Sequence, residues 1–366
     1  MKAIFSPGPS YTKPETRKFA GWLRIFDIYK EALEELGYEV FIPAVPPELI
    51  DQASTVSKIL SYDVVAASQL PLDADLFLGP PGYSLAQLMR LQGISDWITF
   101  RGLPSFLPLP KLFLFVFNNA DWFRDEQLPQ EYKRFDAPYD LSPTWRWINK
   151  TAVELADHII APSPFVKGTW AKVVPEEKIS IAFWGVDSEM FSPAPEEPYV
   201  PLRVLFVGGD PIRKGLWYLI QAWKGMKDVE LWIVGCTPFK EVLDPTVKQF
   251  GMVPFEKMPE IYRQCHVLVL PTLEDGIALC VQEAMASGLV PIATPDPAEV
   301  FVDGVSGIKI PYRDPAAISV ALNMLKENPE DRRGMARAAR NLAEAQPWSM
   351  TKDAVKQIIR RELGQA

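Results

Sequence analysis

Apolar residues fall in short runs along this chain, and stretches with helical spacing separate the runs. Ala3–Phe5 is a strand candidate, followed by a Gly/Pro loop. Leu23, Phe26, Tyr29 or Lys30, Leu33 and Leu36 then recur near the 3.6-residue period and predict a helix that Gly37 stops. "YEVFIP" follows as a strand, and "DLFLG" (75–79), "LFLFVF" (112–117) and "HIIAPS" (158–163) are further candidates. Strands alternating with helical patterns imply βαβ units and a parallel sheet.

"SPAPEEPYVP" (192–201), rich in proline and acid, reads as a linker. A second α/β series begins after it, with strands at "RVLFVGG" (203–209), "ELWIVG" (230–235), "VLVLPT" (267–272), "LVPIAT" (289–294) and "GIKIP" (307–311). A last helical stretch, 349–363, lies beyond that series and carries Met350, Val355 and Ile358 or Ile359 on one side. Two doubly wound domains in tandem place a cleft at the carboxyl ends of their strands.

Composition narrows the class. The chain has 366 residues, 48% hydrophobic and 23% charged, enough for two globular domains each with its own core. No apolar run approaches the length of a membrane-spanning helix, and "KLFLFVF" (111–117) fits a buried strand better. "MKAIFSPGPS" lacks the long apolar run of a signal peptide. Cys236, Cys265 and Cys280 are odd in number and show no CxxC spacing, so the expectation is a cytoplasmic protein without disulfides or structural zinc. Residues 1–200 hold 18 Lys and Arg against 26 Asp and Glu, and the remainder is balanced. An acidic first half argues against nucleic acid as a partner. The basic and aromatic "TRKFAGWLRIF" (16–26) could touch a membrane surface or be a solvated helix edge.

Two stretches carry chemistry. In "VGGDPIRKGLWYLIQAW" (207–223) a strand ends at Gly208 and Gly209, and a helix is expected near Gly215 with Arg213 and Lys214 at its entry. Glycines let a ligand approach the backbone, and two cations at a helix start suit a diphosphate, unless the loop is merely solvated. The pattern is neither GxGxxG nor a P-loop. In "TLEDGIALCVQEAMASGLVPIAT" (272–294) a strand runs into Asp275 and Gly276, and a helix is expected from about Ile277. Glu283 lies in that apolar helix, among Ala278, Ala284 and Ala286. A carboxylate there could accept hydrogen bonds from the vicinal hydroxyls of a ribose, or simply face solvent.

Together these stretches resemble the retaining GT-B glycosyltransferases of family 4. "VGGDPIRKG" is similar to that family's glycine-rich turn, and "DGIALCVQEAMASGLVPIAT" to its acidic-x7-Glu motif, with seven residues between Asp275 and Glu283. "MPEIYRQCHVLVLPT", "FVDGVSGIKI", "ADHIIAPSPFVKGTW" and "KISIAFWGVDSEMFSP" fit neighbouring segments of the pattern. The resemblance is good over residues 150–345 and weak before. It implies an α/β GT-B fold, two doubly wound Rossmann-like domains facing across a cleft. The expected division is 1–195 for the acceptor domain, 196–345 for the nucleotide-sugar domain, and 346–366 for a helix packing back on the first.

The same resemblance assigns roles. Glu283 holds the nucleotide ribose, and Asp275 with the backbone of Gly276, Ile277 and Ala278 binds donor-sugar hydroxyls. Gly208, Gly209 and Leu279 belong to the donor pocket, and Lys214 with Arg213 neutralises the leaving diphosphate. Three positions depart from the pattern. Asp275 stands where Glu is usual, beside Glu274; Gly209 stands where the family often has Arg. Asn118 or Asn119 stands where a first-domain His is common, and an amide can hydrogen-bond a sugar but cannot transfer a proton. His158 and His266 fit structural positions instead.

The expected activity is transfer of a hexosyl group, with retention and without a metal, from a UDP- or GDP-linked sugar to the hydroxyl of a sugar, glycan or small molecule. No cofactor is implied. The alternatives are a non-catalytic nucleotide-sugar binder and a sugar-nucleotide epimerase on the same fold.

Overall fold

The computed structural model describes residues 1–7, 23–45, 55–71, 73–81, 84–91, 110–139, 143–195, 201–236 and 245–365. Among them are two six-stranded parallel sheets. The first contains β1 (Lys2–Phe5), β2 (Glu39–Phe41), β3 (Leu76–Gly79), β4 (Lys111–Phe115), β5 (His158–Ala161) and β6 (Ile179–Ile181), in the order β2-β1-β3-β4-β5-β6. The second contains β7 (Leu202–Val207), β8 (Val229–Val234), β9 (Val247–Gly251), β10 (Val267–Leu270), β11 (Val290–Ala293) and β12 (Ile308–Lys309), in the order β12-β11-β10-β7-β8-β9. Strands β3, β10 and β11 are buried along their whole length, which is why they read as unbroken apolar runs. Two edge strands gave no such signal. β6 has only three residues, and four of the five residues of β9 are exposed.

Contacts divide the chain into two compact units. One comprises Met1–Asp121, Asp140–Phe183 and Thr351–Ala366; the other comprises Trp122–Tyr139 and Trp184–Met350. The sequence reading placed the divisions at 195 and 346. In the structure the chain leaves the first unit after Phe183, and Trp122–Tyr139 belongs with the second. The linker stretch 192–201 lies partly outside the described residues, as does most of 16–26. Of the latter, Leu23, Arg24, Ile25 and Phe26 are described; Arg24 is exposed, beside Asp27 and Glu31 of its own helix, and the other three are buried.

In the first unit, the helix Arg24–Glu35 buries Ile25, Phe26, Ile28, Tyr29, Ala32 and Leu33. Gly37, at φ 84°, ends it in the left-handed region that glycine adopts without strain. Tyr29 stacks on Phe115 of β4 with ring centroids 4.7 Å apart, and Phe26 meets Phe115 edge-on at 5.7 Å. Asp63, in the helix Thr55–Gln69, accepts hydrogen bonds from the backbone of Ala86 at 2.6 Å and Gln87 at 3.3 Å, satisfying the start of the helix Leu85–Leu91. The last helix, Trp348–Glu362, contributes its residues from Thr351 onward. Lys352 and Lys356 reach Glu31 and Glu35 of the helix Arg24–Glu35. No helix among the described residues is long and apolar enough to cross a membrane.

Candidate functional site

In the second sheet the chain steps outward in opposite directions from β7 and β10, which lie side by side. Loops leaving the carboxyl ends of such a pair diverge and open a crevice. Both chemistry-bearing stretches leave the sheet there.

The turn after β7 is built by short-range bonds. Asp210 Oδ1 accepts from the backbone of Ile212 at 3.0 Å and of Arg213 at 3.1 Å. Gly215, at φ 68°, caps the helix Leu216–Trp223. A Cβ on it would lie 1.9 Å from the carbonyl oxygen of Pro271, so the turn can approach the β10 loop only with glycine there. Gly208 serves Lys214, whose stem passes 2.9 Å from where its Cβ would be. Gly209 is exposed.

The turn after β10 is tied to this one. Leu273 donates to the carbonyl of Arg213 at 2.8 Å, and Arg213 Nη1 donates to the carbonyl of Glu274 at 3.0 Å. Lys214 Nζ pairs with Asp275. Arg213 stands 3.7 Å from Asp275 and from Glu274, and Arg124 stands 3.4 Å from Glu274. Asp296, after β11, accepts from the backbone of Asp275 at 2.5 Å and from Tyr312 at 3.3 Å.

These carboxyls are buried yet unequal. Burial pushes Asp275 up, but Lys214 and Arg213 overcome it and hold it below the usual carboxylate range. Burial raises Glu274 against the pull of Arg124 and Arg213. Burial and the charges of Asp275 and Glu274 push Asp296 well above the usual range. Among the described residues, no group of three or more His, Cys, Asp or Glu could hold a metal ion.

The helix after this turn is Leu279–Ala286, starting later than the sequence suggested. Ala278 is extended and offers no side-chain cap, so Gly276, Ile277 and Ala278 form a buried lead-in rather than a first helical turn. Glu283 therefore lies about one turn in. It is half-buried, and it has a protein partner that sequence did not reveal: the hydroxyl of Tyr262 donates to its Oε2 at 2.8 Å. Burial pushes Glu283 up to about 7, with Tyr262 pulling the other way.

Thus Gly208, Gly209, Arg213, Lys214, Asp275, Gly276, Ile277, Ala278, Leu279 and Glu283 all lie in the second unit, around the ends of β7 and β10. Asn118 and Asn119 lie in the first unit, just after β4; Asn118 is exposed and Asn119 buried. His158 bonds with Ser180 at 2.8 Å, and His266 Nδ1 accepts from the backbone of Arg203 at 3.0 Å, so both have structural work.

Sequence reasoning missed Arg124, Tyr132, Tyr262, Asp296 and Tyr312. Tyr132 donates to Asp210, and Glu131 accepts from Tyr218 at 2.5 Å and from Arg313 at 2.9 Å. These bonds anchor Trp122–Tyr139 to the second unit across sequence separations of 78, 87 and 182 residues, with no local pattern to announce it. Asp296 had a faint signal, as an acid between prolines at the end of a strand.

Residues 201–328 match the family model for glycosyl transferases group 1. An amylovoran biosynthesis glycosyltransferase of Erwinia amylovora is 26% identical over 302 residues, 75% of this chain and 67% of that protein. The matched stretch lies within the second unit, and the fold is GT-B. Sucrose-phosphate synthase from Thermosynechococcus elongatus superposes with a TM-score of 0.76 at 17% identity over 100% of both chains. The Anabaena protein HepE, crystallised with UDP-glucose, superposes with a TM-score of 0.63 at 17% identity, over 99% of this chain and 100% of that one. Two further glycosyltransferases match over 42% and 46% of their length. The domain's activity class is glycosyl transfer.

Proposed function

We propose that the protein moves a hexosyl group from a nucleotide-sugar to an acceptor hydroxyl with retention of anomeric configuration. The observation that carries this reading is the convergence of Arg213 and Lys214 on Asp275 at the ends of β7 and β10, with Glu283 on the helix that follows. On this reading the ribose hydroxyls donate to Glu283. The diphosphate draws on Lys214 and Arg213 as it departs, and Asp275 turns from Lys214 toward a sugar hydroxyl. The charge developing on the leaving group is met by fixed cations, so the chemistry asks for no metal. That HepE was crystallised with UDP-glucose supports a uridine nucleotide as the first donor to test. The first unit would bind the acceptor, with Asn118 or Asn119 contributing an amide to the sugar.

The test is incubation with UDP-, GDP- and ADP-linked hexoses, with and without EDTA and with simple glycosides as acceptors. NMR of the product gives the anomeric configuration. Transfer with retention that survives EDTA is expected. An inverted product or a metal requirement overturns the corresponding part. Nucleotide binding without transfer or hydrolysis would make the protein a nucleotide-sugar binder.

A further inference from the structure

Arg124 lies in the short helix Asp121–Gln127, in the segment that the first half of the sequence lends to the second unit. Its side chain is only 20% exposed, and its Nε stands 3.4 Å from the fully buried carboxylate of Glu274. That nitrogen is itself buried and makes no hydrogen bond. Buried guanidinium donors are normally satisfied, because an unmet N–H away from water is costly. Arg213, also beside Glu274, is differently employed: its Nη1 donates to the Glu274 carbonyl at 3.0 Å. Lys214 is held by Asp275. Among these three described cations at the ends of β7 and β10, Arg124 has a buried donor that stands in ion-pair range of Glu274 but makes no hydrogen bond. The bonds of Tyr132 to Asp210 and of Glu131 to Tyr218 and Arg313 fix the adjoining helix Pro129–Arg134 in place.

We propose that Arg124, steered by Glu274, is a third cation of the nucleotide site and donates hydrogen bonds to the phosphates of a bound nucleoside diphosphate. This rests on the nucleotide-sugar reading above. The planar guanidinium presents five donors in a fork that matches phosphate oxygens. Glu274 acts as a positioning residue. It lies between Arg124 and Arg213 and keeps Arg124 turned toward the end of the sheet.

The test is calorimetric titration of wild type, Arg124→Met and Arg124→Lys with UDP, GDP and ADP, and with the nucleoside of whichever binds. Arg124→Met should weaken the diphosphate about tenfold and leave the nucleoside unchanged, as expected for one charge-assisted contact to phosphate. Arg124→Lys keeps a cation beside Glu274, and therefore the fold, but loses the fork; its loss should be smaller and equally confined to the diphosphate. Equal weakening of diphosphate and nucleoside in both variants would make Arg124 a structural counter-ion and overturn the assignment. So would unchanged diphosphate binding in both. If wild type binds none of the nucleotides, the donor reading fails and takes this assignment with it. Wild-type binding that both variants retain in full overturns Arg124 alone.

Discussion

Lys214 and Asp275 pair across the carboxyl ends of β7 and β10, one from the turn after each strand. Their side chains are 12% and 9% exposed, so the pair is largely removed from water. Removing Lys214 leaves the buried Asp275 carboxylate with Arg213, at 3.7 Å, as its remaining cation, and losing one partner of a buried pair costs more than the pair itself contributes. Lys214→Ala is therefore expected to lower stability by roughly 2–4 kcal/mol in urea unfolding. The double variant Lys214→Met, Asp275→Leu should lose less than the two single changes summed. Additive losses would mean that the two residues are not coupled. Lys214→Ala should also cost more nucleotide affinity than Arg213→Ala, because Arg213 already spends a donor on the Glu274 carbonyl.

Glu283 predicts a pH dependence. Its carboxyl is raised to about 7, above its unfolded value, so it contributes stability that is fully present below the unfolded value of 4.5 and is lost as pH rises through 7. Glu283→Gln cannot titrate. The stability difference between variant and wild type should shift in the variant's favour by roughly 1–3 kcal/mol between pH 4.5 and 8. Nucleotide affinity should move oppositely, rising with pH in wild type as the carboxylate that accepts the ribose hydroxyls forms, and staying flat in Glu283→Gln. Parallel pH profiles for the two proteins would exclude Glu283 as the titrating group.

The α/β architecture was legible because buried parallel strands must be apolar on both faces, and β3, β10 and β11 carried that signal plainly. The two glycine- and acid-bearing turns were legible because each packs its residues into a few consecutive positions. What escaped was long-range. Tyr262 is an unremarkable aromatic in a short helix until folding brings it to Glu283. Arg124 and Tyr132 lie in a polar helical segment that reads as part of the first half, yet their partners Glu274 and Asp210 come after residue 200. The late start of the helix Leu279–Ala286 was also invisible, since nothing in "GIALC" distinguishes an extended lead-in from a first turn.

Asp63 is expected to be a stability determinant of the first unit. It is buried and accepts from the Ala86 and Gln87 backbone and, at 3.0 Å, from Gln87 Nε2. Burial pushes it up to about 6 despite those three bonds. Asp63→Ala leaves buried N–H groups without an acceptor and should cost about 1–3 kcal/mol. Asp63→Asn keeps an acceptor and should cost less. A loss that is the same for both variants would show that the carboxylate, rather than an acceptor of that shape, is what the helix start requires.

The last helix offers a contrast between ionic and apolar anchoring. Lys352 and Lys356 hold Glu35 at about 2, well below the usual carboxylate range, chiefly through the hydrogen bond from Lys352. A depressed carboxyl contributes stability only above its unfolded value, and that contribution fades as pH falls toward 2. Glu35 is exposed and the two lysines are partly exposed, so screening and side-chain entropy consume much of the attraction. Beneath them, Val355, Ile358 and Ile359 are buried at 0%, 5% and 1% exposure. Burial of that kind is what fixes an amphipathic helix to a domain. Ile359→Ala should therefore destabilise the protein by about 2–4 kcal/mol, whereas Lys352→Gln with Lys356→Gln should shift the urea midpoint little, and less still in high salt. A double glutamine variant that unfolds as readily as Ile359→Ala would show instead that charge, rather than apolar contact, holds this helix in the first unit.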